Sequence, residues 1–463
     1  MSKKEPSTLK RSIFFAFHQI ADVTAYQSFI LLIFTFYFAV IGIEVWLITV
    51  GYIIWSVWNA FNDPILGYFS DKTHTKWGRR RPWIIASFIP LGIFIWLLYT
   101  PMLPQGIAYQ VGNFFYFLIV IILFELFYTM FSLNCTSMFP EVFISEKERT
   151  TANNFRQVFT IVGLIVAFIL PGLIIPDYTD PSYLTEYQVF GIIAGIVVVI
   201  CSLIFLLLGP REKPEFRDDS KKAFSLFNTM KYCVKSKSFR WYIPAEIANW
   251  FVYGMLPTIV PLYAKFVLNI TDAFLTSLLL GLTFISAAIF MTVLWKPLVR
   301  KIGNRKSWMI SLTVWFCSLI PLMFITDMIS GMIVFVLIGI GLSGSFYIID
   351  LIVADIIDED ELETGIRREA GYYGINAFFL RFSNVAVILA IASVFSTVGW
   401  AVYEPSLVTP QVIFGLRSLM FIFPGIAMII AVLALYKYPL DGDRLVKVKE
   451  GLIKIHEEKR ARI

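Results

Sequence analysis

The chain has 463 residues, 58% of them hydrophobic and 16% charged, with a formal net charge of +6. Soluble domains carry about 25% charged residues, so this composition excludes a water-soluble body of ordinary surface chemistry. The aromatic share of 17%, with 44 phenylalanines, suits lipid-facing helices and interfacial belts.

Apolar stretches near the ~20 residues that cross a bilayer as a helix recur from residue 12 to residue 437. They predict an all-α membrane protein with twelve transmembrane helices, at 12–40, 45–69, 82–100, 109–138, 153–176, 187–209, 240–268, 273–299, 307–326, 330–357, 370–399 and 410–437. The first stretch follows Lys3, Lys4, Lys10 and Arg11, is long, and has no small-residue cleavage site. It reads as a retained span and not a signal peptide. Two six-helix bundles follow, at 1–209 and 240–437, with a linker at 210–239 and a tail at 438–463. The linker is either a plain solvated segment or carries a short amphipathic helix near 221–235, with Lys221 and Lys222 at its start.

Charge sets the orientation. The segments at one side of the spans hold 34 of the 39 Lys and Arg, and the short connections at the other side hold none. The positive-inside rule places the basic side, and with it both termini, in the cytoplasm. The basic excess then faces anionic lipid and gives no reason to expect nucleic acid. Nothing requires more than a monomer.

Ionisable groups inside the bilayer are costly and tend to face a cavity or a partner. Span 1 carries His18, Asp22 and Tyr26, and span 2 carries Asn59, Asn62 and Asp63 ahead of Pro64. The last three stand at i, i+3 and i+4 and share a helix face. One carboxylate beside two amide oxygens suits a small hard cation, sodium for example at Asp63, or a proton, because burial favours the neutral acid. Glu125, Thr129, Ser132 and Thr136 form one stripe on span 4, and Arg156 lies just inside span 5. Span 7 carries Glu246, Asn249, Trp250 and Tyr253, span 10 carries Ser343, Tyr347, Asp350 and Asp355, and span 11 carries Tyr373, Asn376, Arg381 and Asn384. Such stripes line a wet path or brace one helix against another.

The loop after span 2 reads Asp71-Lys72-Thr73-His74-Thr75-Lys76-Trp77-Gly78-Arg79-Arg80-Arg81-Pro82-Trp83. Its arginines can set topology, bind lipid headgroups, or act as a gate by latching onto carboxylates of the other half. Glu141, Glu146, Glu148 and the run Asp358-Glu359-Asp360-Glu361 are the candidate partners, and Arg367 and Arg368 follow that run. The second half echoes the loop at Gly303-Asn304-Arg305-Lys306. Four scattered cysteines and three histidines make no metal-ligand spacing, and no nucleophile-base arrangement is present, which argues against an enzyme and against a cofactor.

Several separated motifs occur in the order found in one family: Asn62-Asp63-Pro64-Ile65, Trp77-Gly78-Arg79, Arg81-Pro82-Trp83, the segment Pro140 to Arg149, and Val353-Ala354-Asp355-Ile356-Ile357-Asp358 with Arg367 and Glu369. The chain resembles the glycoside-pentoside-hexuronide:cation symporters of the major facilitator superfamily, which include the bacterial melibiose carriers. The resemblance implies two rocking six-helix bundles that carry a cation and a sugar together. It assigns the cation site to Asn59, Asn62, Asp63 and Thr129, with Asn59 where the family has a carboxylate. It assigns the solute site to Asp22, Ser132, Thr136, Arg156 and Arg381, with Ser132 and Thr136 replacing a carboxylate and a tryptophan, and Trp250 joins them as a stacking surface. The expected activity is cation-coupled transport of a glycoside, sugar or related polar solute, with sodium or a proton as coupling ion. A transporter of lysophospholipid or another amphiphile is the alternative, and a carrier fold that has become a receptor is a third.

Overall fold

The structure, a computed structural model, describes residues 7–73, 75–143, 146–212, 233–364 and 369–461. Among them, twelve helices are long and apolar enough to cross a membrane. We number these α1 (Thr8–Val40), α2 (Val45–Ser70), α3 (Arg81–Leu98), α4 (Ile107–Phe139), α5 (Lys147–Ile174), α6 (Pro181–Leu208), α7 (Lys237–Phe266), α8 (Ala273–Ile302), α9 (Asn304–Met323), α10 (Met328–Thr364), α11 (Tyr372–Thr397) and α12 (Pro410–Lys437). A further helix, α13 (Gly442–Ala461), occupies the tail. Most of the surface helix expected near 221–235, Lys221 and Lys222 included, lies outside the described residues, as do Arg367 and Arg368.

Several helices run past the bounds that hydropathy suggests. α5 begins before residue 153, and α10 continues seven residues beyond 357 into Asp358-Glu359-Asp360-Glu361. Apolar windows stop at the first charges, whereas a helix continues while its backbone ladder is intact and its polar side chains find partners.

The chain forms two compact units. The first holds Met1–Ala223 with Ile270–Gly281 and Gly399–Leu407, and the second holds Phe224–Asn269, Leu282–Val398 and Val408–Ile463. The two short segments join the first unit by backbone bonds: Ala273 donates to the Pro176 carbonyl at 2.9 Å and Val45 to that of Ala401 at 2.9 Å.

In the first unit α1 packs on α5 and α6, α2 on α4, and α3 on α4 and α6. Gly92 and Gly195 let α3 and α6 approach closely, since a Cβ on Gly195 would stand 2.5 Å from the Gly92 carbonyl oxygen. Phe29 of α1 stacks on Phe124 of α4 at 5.2 Å and leans on Trp55 of α2 at 5.4 Å. This apolar wedge sets the mutual register of three helices that carry polar residues in the bilayer.

In the second unit α7 packs on α11 and α12, α9 on α10 and α12, and α13 on α10. α8 widens into a π-helical turn at Met291–Trp295, just ahead of Pro297. The proline ring displaces the carbonyl four residues earlier, and the ladder widens there.

Candidate functional site

Four of the expected residues meet between α2 and α4 of the first unit. Thr129 Oγ1 donates to Asp63 Oδ1 at 3.0 Å and stands 3.4 Å from Glu125 Oε1. Trp55 Nε1 donates to Glu125 Oε2 at 3.0 Å, and Asn62 Nδ2 to the Glu125 carbonyl at 3.4 Å. Asn59, 0% exposed, has neither its amide oxygen nor its nitrogen hydrogen-bonded. Thr129 has one hydroxyl proton, so it satisfies only one of the two carboxylate oxygens at a time. Two carboxylate oxygens gathered on one hydroxyl form an oxygen-only set of the kind that suits a hard cation.

A second cluster lies between α1, α4 and α5 of the same unit. The hydroxyls of Ser132 and Tyr128 and the Arg156 guanidinium stand beside the Asp22 carboxylate. Arg156 lies over the Phe139 ring at 4.6 Å. His18 Nδ1 donates to the Phe15 carbonyl at 2.5 Å, which leaves Nε2 as the acceptor of the neutral ring. Three buried atoms here make no hydrogen bond: His18 Nε2, Asp22 Oδ1 and Arg156 Nε. Two acceptors and a cationic donor, flanked by two hydroxyls, match the alternating donors and acceptors of a polyhydroxylated solute. Thr136, one turn beyond Ser132, is exposed and is not drawn into this cluster.

The clusters adjoin through α4. Tyr128 stands beside Asp22 while its neighbour Thr129 bonds Asp63.

The second unit has its own buried carboxylate. Glu246 Oε1 accepts from Trp250 Nε1 at 2.9 Å and from Asn376 Nδ2 at 3.4 Å. Its other oxygen and both ends of the Asn249 amide make no hydrogen bond. Trp250 packs edge-on against Tyr253 at 5.2 Å. Arg381 sits half-buried on α11.

The expected gating charges are engaged at the helix ends. Arg79 Nη2 meets Glu141 Oε1 at 2.5 Å, Arg80 Nη2 approaches the same oxygen at 3.7 Å, and Arg81 donates to the Leu206 carbonyl. Glu148 pairs with Arg11 at 3.4 Å. The backbone amides of Arg79, Arg80 and Arg81 all converge on the Glu212 carboxylate, at 2.7, 2.7 and 2.9 Å. Gly78 has a φ of +110°, and a Cβ there would stand 2.9 Å from Glu212 Oε2. In the second unit Asp358 meets Lys449 of α13 at 2.6 Å and Glu359 meets Arg444 at 2.6 Å. Asp355 accepts from Asn304 at 2.6 Å and pairs with Lys449 at 2.7 Å. These carboxylates of the acidic run, which the latch reading offered to the arginine loop, bond to the tail of their own unit.

Reading the sequence alone set Glu125 and His18 only among the polar stripes of their spans, and gave no role to Tyr128 or Glu212. Glu125 lay in view, four residues before Thr129 on the same face. Which α2 residue it meets depends on packing.

These features define a polytopic membrane carrier: twelve spans, with buried charge concentrated where helices meet. The chain belongs to the family described as MFS/sugar transport protein, which it matches over residues 16–442. It is similar to the sodium-dependent lysophosphatidylcholine symporter 1 of Mus musculus, 23% identical with 87% of this chain and 80% of the relative covered. It is also similar to the isoprimeverose transporter of Lactiplantibacillus pentosus, 23% identical with 75% and 71% covered. A crystal structure of a mutant of the nucleoside transporter NupG shares the fold at a TM-score of 0.69 and 15% identity, over 92% of this chain and 100% of that one.

Proposed function

We propose that the protein is a secondary active symporter of the cell membrane, with both termini cytoplasmic, coupling sodium or proton movement to transport of a small, sugar-like solute by alternating access. Its work is transport and not catalysis, and a monomer suffices. The carrying observation is the adjacency of Tyr128 and Thr129 on α4. One stands beside Asp22 in the cluster suited to a polyhydroxylated solute, and the other bonds Asp63 in the carboxylate pair suited to a cation. Occupancy of either cluster shifts the helix that carries both, which gives ion and solute a common mechanical element. Asp63 with Asn62, Asn59 and Thr129 serves the ion. Asp22, Ser132 and Arg156 hold the solute, and Trp250 and Arg381 are the second unit's own candidates for solute contact. The Arg79-Arg80-Arg81 loop with Glu141, and Asp358 with Arg367 and Arg368, form the gating charges. Thr136 is left without a part.

A solute screen in proteoliposomes, with sodium and pH gradients imposed separately, tests the reading. Accumulation of a sugar or glycoside under one gradient is the expected result. Gradient-independent equilibration of every solute would remove the coupling. The second reading, a lysophospholipid cargo, is favoured by the 87% of the chain that aligns with the mouse symporter. Uptake of lysophosphatidylcholine that sugars do not compete away would select it.

A further inference from the structure

We infer that Arg417 of α12 anchors the phosphate of an anionic phospholipid, in a groove of the second unit that opens toward the membrane. The site owes nothing to the symporter reading and needs only a chain that spans a bilayer. The groove measures about 680 Å³ and lies where the end of α9 packs on the start of α12. Met323, Phe324, Ile413 and Phe414 line it, and Thr409 and Arg417 are its polar side chains. Phe324 is 75% exposed and Phe414 56%. Apolar side chains this open, on a protein with twelve spans, belong against lipid. The connections at this end of the spans contain no Lys or Arg, so Arg417 stands apart from the basic loops of the other end.

A guanidinium has five N–H donors in a rigid plane. Arg417 makes one protein bond, from Nη2 to the Ile325 carbonyl at 3.3 Å, and its Nε is closed to solvent without an acceptor. Among the described residues no carboxylate pairs with it. Asp327, in the same α9–α10 turn as Ile325, places both its oxygens on Ser330. An arginine that only snorkels carries its polar atoms into water, whereas this Nε is shut away from it. A cation beside lipid-facing phenylalanines calls for a counter-charge. Thr409 Oγ1 accepts from the Val412 amide at 3.4 Å, which leaves its hydroxyl proton to donate into the groove. A phosphodiester offers two anionic oxygens to the guanidinium fork, and its acyl chains cover Phe324 and Phe414. No acid lines the groove to receive the ammonium of a zwitterionic headgroup. A soluble anion would satisfy Arg417 but leave the phenylalanines uncovered. Charge and apolar surface together select an anionic phospholipid. Bound there, it fastens α12 to the turn after α9, which Arg417 already holds through Ile325.

The test uses the whole protein in nanodiscs doped with a phosphatidylglycerol that carries a diazirine on an acyl chain. Labelled peptides are mapped after illumination. Label is expected around Phe324 and Phe414, displaced by unlabelled phosphatidylglycerol but not by equal amounts of phosphatidylcholine or of inorganic phosphate. Arg417→Gln should cut labelling of the groove at least about tenfold, the worth of one charge-assisted hydrogen bond, and leave labelling at the basic loops unchanged. Arg417→Lys keeps the charge without the fork and should fall between. Full groove labelling in Arg417→Gln would overturn the proposal. Equal displacement by phosphatidylcholine would remove the anionic headgroup, and equal displacement by inorganic phosphate would remove the lipid as occupant. Should Arg417→Gln fail to fold, Ile413→Trp decides, because it fills the groove and keeps the guanidinium. Undiminished labelling of the groove in that variant would sink the site. None of these readouts requires transport, so this site and the symporter reading fail separately.

Discussion

Glu125 and Glu212 are glutamates of the same unit, and they do opposite things. Glu212, just past α6, accepts three backbone amides from the start of α3, and both its oxygens are bonded. Its charge complements the helix N-terminus, where unpaired amides concentrate positive potential. Glu125, inside α4, accepts from the Trp55 indole and shares the Thr129 hydroxyl with another carboxylate, beside an unbonded amide. A carboxylate held by three fixed backbone donors is a rivet. One that shares a side-chain hydroxyl with a second carboxylate sits where the donors can rearrange.

The contrast makes graded predictions. The largest effect belongs to Asp63→Asn. It removes one of the carboxylates offered to the coupling ion, so gradient-driven accumulation should fall about a hundredfold, about 2.7 kcal/mol at 1.36 kcal/mol per decade, while the folded yield holds. A Glu212→Gln variant that lost transport as completely would break the distinction. Next comes Arg156→Ala. It should raise the half-saturating solute concentration about tenfold, the worth of one charge-assisted hydrogen bond, and leave sodium binding unchanged in a direct binding assay. A parallel loss of sodium affinity would merge the two clusters into one site.

Glu212→Gln and Gly78→Ala probe the rivet. Each should lower thermal stability by about 1–2 kcal/mol, the first through weakened bonds to a charge and the second through strain at positive φ and the clash with Glu212. The ion dependence of uptake should not change in either. The smallest effect is expected at α13. Burial lowers the Lys449 pKa, but the Asp355 and Asp358 carboxylates more than offset this and hold it above its usual 10.5. That contribution is complete below the unfolded value and is lost only as pH rises through the raised one. Tail docking should thus be insensitive to pH across the neutral range, and Lys449→Met should shift the melting temperature only slightly, because the side chain is 46% exposed.

Much of this architecture was legible beforehand because the bilayer demands it. Long apolar runs betray each span, and the Lys and Arg count separates one side from the other. The Asn59, Asn62 and Asp63 face was equally plain, since helical spacing is a local property. The pairing of loops with carboxylates was not. The Arg79-Arg80-Arg81 loop offered its side chains to any acid in reach, and nothing local shows that its backbone amides converge on Glu212, more than 130 residues away. The second half sets an acid at the matching point by a different contact: Gly303 has a φ of +84°, and the Arg305 side chain, not its backbone, meets Asp441 at 3.3 Å beyond α12.

The sequence by itself determined the solvent this protein lives in, the number of its spans and the faces that carry charge, because hydrophobic length and helical period are written residue by residue. Only the tertiary structure decided which charges share a pocket. That Asp63 of α2 and Glu125 of α4 both reach the Thr129 hydroxyl depends on how an aromatic wedge of Phe29, Phe124 and Trp55 sets the register of three helices. That register is a property of packed surfaces, which no single helix contains.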